Sequence, residues 1–204
     1  MLNLDHTTLI IIVTVIVSLL AWQSKLLLNR LIFYPPAIAK GEWYRLVTHG
    51  FIHADSTHLL FNMFTLYFFG RAIEQFYDQY FNGFGFILFY IVAIVVAIIP
   101  SYLQHKGDAT YLSLGASGGV SAVLFAFILM APWDMLYLFA IVPIPAIVFA
   151  IAYIGYSIYA NNKGTSNVNH LAHLWGGAFG VVATILLNPN VLPHFFNALL
   201  HPNF

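Results

Sequence analysis

Cysteine is absent from this 204-residue chain, and charged residues make up only 7% of it. The lack of cysteine excludes a disulfide scaffold, a thiolate metal site and a cysteine nucleophile. A soluble domain carries about 25% charged residues, so an ordinary water-exposed surface is excluded as well. Lysine and arginine together number 7, as do aspartate and glutamate, so no basic excess points to a nucleic-acid partner.

Apolar residues are abundant instead, at 61% of the chain, and the mean hydropathy is +0.84. A helix needs about 20 apolar residues to cross the hydrocarbon core of a lipid bilayer. Turn and charge signals divide the chain into six predicted membrane spans, at residues 9–28, 59–76, 84–104, 117–131, 135–159 and 171–187. Six crossings use most of the chain, so we expect one transmembrane domain over residues 1–204.

The fourth predicted span is too short to cross a bilayer unaided. It has 15 residues, which is about 22 Å of helix. The preceding residues, 109–116, show no helical periodicity, so we expect them to descend into the bilayer as irregular chain. Such backbone is tolerated there only against protein or water. The sequence therefore predicts a short fourth helix that begins inside the membrane, with Ser117 at the floor of a wet pocket.

Polar residues collect near the start of the second, fourth and sixth predicted spans, which all begin on the same side of the membrane. They are His53, His58, Asn62, Ser117, His170 and His173. Polar groups inside a bilayer are costly and by default mark a functional site. Convergence from three helices onto one leaflet strengthens that interpretation.

These residue types fit nucleophilic catalysis. A serine hydroxyl needs a base within hydrogen-bond reach, and His173 is the best-placed base for Ser117. His58, the Asn62 amide and the Ser117 backbone N–H are candidate donors to an oxyanion. The competing interpretation is that a serine among glycines only allows close helix packing, and that a histidine in a span is a hydrogen-bonded packing residue.

Glycines flank both members of the candidate pair. Gly115 and Gly118 lie beside Ser117, while Gly176 and Gly180 follow His173 at helical spacing. Small residues at such intervals let two membrane helices approach closely. We expect this approach to hold Ser117 against His173 without a third residue.

Two further function classes stay open on the residues alone. A haem or metal carrier could use His49, His53, His58 and His170 as ligands. A non-catalytic membrane protein could bind helices and leave the serine and histidine idle.

Five groups of residues, in this order along the chain, resemble the rhomboid family of intramembrane serine proteases. They are Glu42-Trp-Tyr-Arg45, His53 with His58-Leu-Leu-Phe-Asn62, Gly70-Arg-Ala-Ile-Glu74, Gly115-Ala-Ser-Gly-Gly119 and Ala172-His-Leu-Trp-Gly176-Gly-Ala-Phe-Gly180. Each group is weak evidence alone, but the ordered set on a six-span chain is specific.

The resemblance implies an all-α, six-helix membrane bundle and a Ser–His dyad, with Ser117 as the nucleophile and His173 as the general base. It assigns oxyanion donation to His58 and Asn62, and it implies that the substrates are transmembrane segments of other proteins. No cofactor, metal or nucleotide is implied. Structural support is expected from Trp43, Arg45, His53, Glu74, Gly115, Gly118, Gly176 and Gly180, with Trp43 and Arg45 ordering the first loop and Glu74 pinning it.

One departure from the family pattern concerns the general base. The family often has a tyrosine one turn after the nucleophile, where it can stack on the catalytic imidazole, whereas this chain has Ser121. The support of His173 is therefore an open question at the level of sequence.

Location and orientation are expectations from the resemblance too. It implies a multi-pass protein of a bacterial inner (cell) membrane, with the N-terminus in the cytoplasm and the site opening outward. The positive-inside rule points the other way. Six of the seven basic residues fall on the side of the site and only Arg71 falls opposite. We follow the family orientation, because the long first loop is expected to pack on the protein.

Overall fold

The structure is a computed structural model that describes residues 4–138, 141–164 and 168–202. Within these ranges the chain is mostly helical, with one two-stranded antiparallel hairpin. The helices are α1 (His6–Gln23), α2 (Lys25–Leu31), α3 (Pro35–Ala39), α4 (Arg45–Thr48), α5 (Ser56–Tyr77), α6 (Gly85–His105), α7 (Ser117–Met130), α8 (Ala146–Lys163), α9 (His170–Leu187) and α10 (Val191–Leu200). The strands are β1 (Met135–Leu138) and β2 (Val142–Pro145), and short 3₁₀ turns cover His49–Phe51 and Phe81–Gly83.

The first predicted span, residues 9–28, runs through a break that the sequence pattern does not reveal. Helix α1 ends at Gln23 because Ser24 adopts an extended conformation, with φ −132° and ψ 101°. The Ser24 side chain then accepts a hydrogen bond from the Leu27 backbone and caps the short helix α2. A serine that caps a new helix turns the chain without leaving its backbone donors unpaired.

The fifth predicted span, residues 135–159, is wrong in its first half, and the all-α expectation is wrong at the same place. Residues Met135–Leu138 pair with Val142–Pro145 as the hairpin, and helix α8 begins only at Ala146. Proline cannot continue a helix and disfavours helical backbone in the residue before it. Pro143 and Pro145 therefore keep β2 extended up to the first residue of α8.

Helix α7 forms the centre of the bundle. It packs against α5, α6, α8, α9 and α10, and eleven of its fourteen residues are buried. The side chains of Leu66, Tyr90 and Val123, from α5, α6 and α7, are completely buried in one apolar core. A short helix that is apolar on all sides is typical of such a central position.

Three helices are long and apolar enough to cross a membrane by length and composition, in the part of the chain that the structure describes. They are α1, α6 and α9. Helix α10 follows α9 and packs with Val191 and Phe195 against the same core as α7. This helix lies outside all six predicted spans.

Candidate active site

The irregular segment before α7 is held by partners from the first half of the chain. Ser113 exchanges two backbone hydrogen bonds with Phe33, of 3.0 and 3.2 Å, and the Gly115 N–H donates to the His49 carbonyl at 2.9 Å. The Ala116 N–H donates to Nε2 of His53 at 3.3 Å. Non-helical backbone can lie at membrane depth when protein groups satisfy it in this way.

His53 is the side chain that ties this segment to α1. It is buried, and its Nδ1 lies 3.0 Å from the Ser18 hydroxyl on α1 while Nε2 accepts the bond from Ala116. Both ring nitrogens therefore have partners. His53 fixes the backbone immediately before Ser117 and faces the ring of His58, with 5.0 Å between ring centroids.

A cavity of about 920 Å³ lies at the start of α7, and polar residues from three helices line it. Ser117 from α7, His58 from α5 and His173 from α9 all line it, together with Asn169 just before α9. Of the six polar residues that the sequence predicts to converge, Ser117, His58 and His173 line this cavity, whereas His53 and His170 do not. Asn62 is buried and is not among the lining residues.

Backbone contact at two glycines sets how closely Ser117 and His173 approach. A Cβ on Gly176 would lie 2.1 Å from the carbonyl oxygen of Gly118, and one on Gly180 would lie 2.1 Å from that of Ala122. Helices α7 and α9 can therefore touch only because these positions lack side chains. Among the residues that the structure describes, Ser117 Oγ and the His173 ring form no hydrogen bond with each other. In unliganded enzymes, hydrogen bonds between catalytic groups are often long and tighten only when substrate is bound.

A third glycine contact positions His58. Gly115 has φ +121°, a conformation that other residues rarely adopt. A Cβ there would lie 2.5 Å from Cε1 and 2.9 Å from Nε2 of His58. The His58 ring thus rests on the backbone two residues before Ser117. Asn62, one turn further along α5, donates from Nδ2 to the His58 carbonyl at 2.9 Å.

The three side chains that share the cavity fall within a known family model. A model described as the rhomboid domain matches residues 40–190, which include Ser117, His58, His173 and helices α5 to α9. The chain belongs to the rhomboid family. It is accordingly an integral membrane protein, and the recognition made from its motifs is confirmed.

Curated rhomboid relatives include plant and bacterial proteins. The chain is 30% identical to RHOMBOID-like protein 12, mitochondrial, of Arabidopsis thaliana over 79% of its length and 52% of that protein. It is 34% identical to Rhomboid-like protein 11, chloroplastic, of the same plant over 72% and 53%. It is 32% identical to Rhomboid protease GluP of Bacillus subtilis over 72% and 27%.

The chain thus spans about half the length of the two plant relatives and about a quarter of GluP. The names of the two plant relatives place them in mitochondria and chloroplasts, so the comparisons do not support a bacterial inner membrane in particular.

The first loop of this rhomboid domain is organised around Arg45. Its guanidinium is buried and donates to the carbonyls of Asn29 and Ile32 at 2.7 and 2.8 Å, and it pairs with Glu42 at 2.7 Å. The Tyr44 hydroxyl and then Arg45 donate to Glu42 and hold the pKa of that carboxyl below its usual range. Trp43 is largely exposed.

Glu74 was expected to pin that loop, and its hydrogen bonds go elsewhere. It accepts from the backbone N–H of His6 and from the N–H and hydroxyl of Thr7, at 2.6 to 2.8 Å. Glu74 lies sixteen positions after His58 on α5, which is a rise of about 24 Å along the helix. Glu74 therefore secures the start of α1, where a carboxylate satisfies otherwise unpaired N–H groups.

Two residues that the sequence analysis missed contact the site. The Asn169 side chain caps α9 by accepting from Ala172 N at 3.0 Å, and it donates to Ser101 and Tyr111. An asparagine directly before an apolar helical run is a capping signal that could have been used. Tyr153 of α8 stacks on His173, and nothing in the local sequence identifies His173 as its partner.

The proposed metal or haem ligands are not assembled as a set. His49 bonds to the Arg45 carbonyl through Nδ1, and His53 has both nitrogens engaged. In the described ranges, the group of ligand atoms close enough to hold an ion consists of His6, Glu74 and Asp78, at the opposite end of α5 from His58. These three already bond to one another or to backbone N–H groups.

Proposed function

We propose that the chain is an intramembrane serine protease that hydrolyses peptide bonds in transmembrane segments of other proteins. The observation that carries the proposal is the cavity shared by Ser117, His58 and His173, which come from three helices. Relatives named rhomboid proteases support the same chemistry. The substrate class follows from the resemblance, because a rhomboid site inside a bilayer meets other membrane-spanning chains.

The chemistry uses His173 as a base and then as an acid. His173 takes the proton of Ser117 as Oγ bonds to the substrate carbonyl carbon, and the carbonyl oxygen becomes an oxyanion. The C–N bond then breaks as His173 returns the proton to the leaving amine. Water then attacks the carbonyl carbon of the acyl-enzyme, with His173 again acting first as base and then as acid. This step releases the carboxylate product and regenerates the Ser117 hydroxyl.

The oxyanion is bound by donors that surround Ser117. The His58 ring reaches over Gly115 toward the cavity, and the Ser117 N–H lies at the N-terminus of α7, where the helix dipole favours negative charge. Asn62 is also proposed as a donor, but from the family resemblance alone, because it does not line the cavity and its observed N–H bond goes to the His58 carbonyl.

The His58→Ala variant should retain the fold and lose most of its activity. Removing one oxyanion donor costs roughly 10²–10³ in kcat, while KM should change little because the oxyanion exists only in the transition state. His58→Gln keeps an N–H donor and should lie between wild type and alanine. Kinetics on a transmembrane reporter, with exposed His194→Ala as the control, measure this. Near-normal kcat in His58→Ala would remove His58 from the role.

We propose that the domain crosses the bilayer six times, with α5, α7 and α8 joining α1, α6 and α9. The proposal makes α7 a short fourth crossing whose first residue, Ser117, lies below the membrane surface. Its 14 residues span about 21 Å, and the satisfied backbone before it supports that depth. The bacterial inner membrane, with the N-terminus in the cytoplasm, is proposed from the resemblance alone.

The second candidate function is a non-catalytic rhomboid that binds helices. It is favoured by one observation: among the residues that the structure describes, Ser117 and His173 form no hydrogen bond with each other. Only an activated hydroxyl displaces fluoride from a fluorophosphonate and becomes labelled on phosphorus.

A fluorophosphonate probe on the purified full chain in detergent tests the two candidates. We expect labelling of wild type that disappears in both Ser117→Ala and His173→Ala and persists in the Arg71→Ala control. Absence of Ser117-dependent labelling, or equal labelling without His173, would favour the binding protein.

A further inference from the structure

The His173 ring has an aromatic neighbour from a different helix. Tyr153 of α8 stacks on it with ring centroids 6.0 Å apart and planes inclined by 16°, within the range of offset-stacked rings. His170, on α9 itself, meets His173 edge-on, at 5.8 Å and 78°. The parallel face against His173 is therefore supplied by α8.

Tyr153 is itself fixed from two sides. Its hydroxyl lies 3.1 Å from the hydroxyl of Ser121, one turn after Ser117 on α7. Its ring stacks on Phe149, at 5.6 Å and 25°, and meets Phe125 of α7 at 5.8 Å. The side chain thus bridges α7 and α9, the two helices that carry the proposed nucleophile and base.

The pattern of small residues on α8 explains how this tyrosine reaches the site. Ala146, Ala150, Ser157 and Ala160 are the buried residues of α8. Tyr153 falls on the same helical stripe, seven residues after the first and seven before the last. Small side chains let α8 approach its neighbours closely, and the single large side chain on the stripe then projects between them.

Packing has to orient His173, because no carboxylate is hydrogen-bonded to its ring in the residues that the structure describes. A general base is effective only when its ring nitrogen faces the serine hydroxyl in the correct rotamer. The face of an aromatic ring also favours positive charge, which the imidazole acquires when it takes the proton.

We propose that Tyr153 is the positioning residue for His173, and that Ser121 acts as the anchor for Tyr153. This inference rests on the proposed function of His173 as the general base. It also answers the departure seen in the sequence. Ser121 has no ring to stack on the imidazole. Its hydroxyl instead contacts the hydroxyl of Tyr153, which comes from another helix and supplies the stacking ring.

Three variants of α8 test the proposal in the full chain. Tyr153→Leu removes the ring and should lower kcat about tenfold, with KM nearly unchanged. Tyr153→Phe keeps the ring but loses the bond to Ser121, and its kcat should fall between those of wild type and Tyr153→Leu. Tyr159→Leu, an exposed tyrosine on the same helix, is the matched control and should be unaffected.

A second measurement does not depend on activity. In detergent micelles with ¹³C-labelled histidine, the Cε1–H signal of His173, assigned through His173→Asn, should carry a ring-current shift from Tyr153. The shift should persist in Tyr153→Phe and vanish in Tyr153→Leu. If the shift behaves in this way but no Ser117-dependent cleavage exists, the contact stands and the proposed function fails.

Three results would overturn the positioning role. One is a Tyr153→Leu protein that keeps the wild-type His173 signal. Another is a Tyr153→Leu protein that cleaves at the wild-type rate while Ser117→Ala remains inactive, which would uphold the protease and reject the role of Tyr153. Equal losses in the phenylalanine and leucine variants would also reject it, because the stacking ring survives in only one of them.

Discussion

Replacing Ser117 by alanine should abolish cleavage of a transmembrane reporter while leaving expression and folding intact. Loss of a serine nucleophile costs roughly 10⁶ in kcat in a well-studied serine protease, and the residues of such a unit are strongly non-additive. His173→Ala should therefore be nearly as inactive, and the double variant no worse than either single one. Reporter cleavage in detergent and in liposomes measures all three.

Ser157→Ala is a matched control for this experiment. Ser157 lies on α8, and its buried hydroxyl has no hydrogen-bond partner within the described residues. Removing an unsatisfied hydroxyl should be neutral or slightly stabilising. Undiminished cleavage by Ser117→Ala, or additive losses in the double variant, would contradict the assignment of the dyad.

Replacing Gly176 or Gly180 by alanine should separate α7 from α9 and destabilise the protein. The added Cβ would lie 2.1 Å from a backbone carbonyl oxygen in each case, and backbone cannot move aside as a flexible side chain can. We expect a loss of about 3 kcal/mol or more, at or above the upper end of ordinary overpacking. Activity should fall with it, because Gly118, the contact of Gly176, adjoins Ser117. Reversible denaturation in mixed micelles measures the first effect.

Gly155→Ala on α8 is the control for this second prediction. A Cβ at Gly155 meets nothing within 4 Å, and alanine is favoured over glycine inside a helix by about 0.5–1 kcal/mol. This variant should be at least as stable as wild type and fully active. Wild-type stability in Gly176→Ala would show that the two helices do not touch as described.

Much of the site could be predicted because its signals are local in the chain. The start of α7 at Ser117, the shared face of His58 and Asn62, and the glycines near Ser117 and His173 all follow from spacing and residue type. Long apolar runs likewise marked α5, α6 and α9 to within about three residues. Helix periodicity places side chains on a face before any partner is known.

The errors arose where one residue changes the direction of the chain. Ser24 ends α1 within a continuous apolar run, and Pro143 with Pro145 turns half of a predicted span into a hairpin. Hydropathy does not register either change, because both depend on backbone conformation and not on the polarity of the side chains.

The sequence by itself determined that the chain enters a membrane, that it belongs with rhomboids, and which polar residues gather at one end of the bundle. Composition and short-range spacing carry that information. Only the tertiary structure decided that Glu74 secures α1, that Gly176 touches Gly118, and that Tyr153 covers the face of His173 where Ser121 does not. Each of these contacts joins residues at least 20 positions apart, so the packing of whole helices selects the partner.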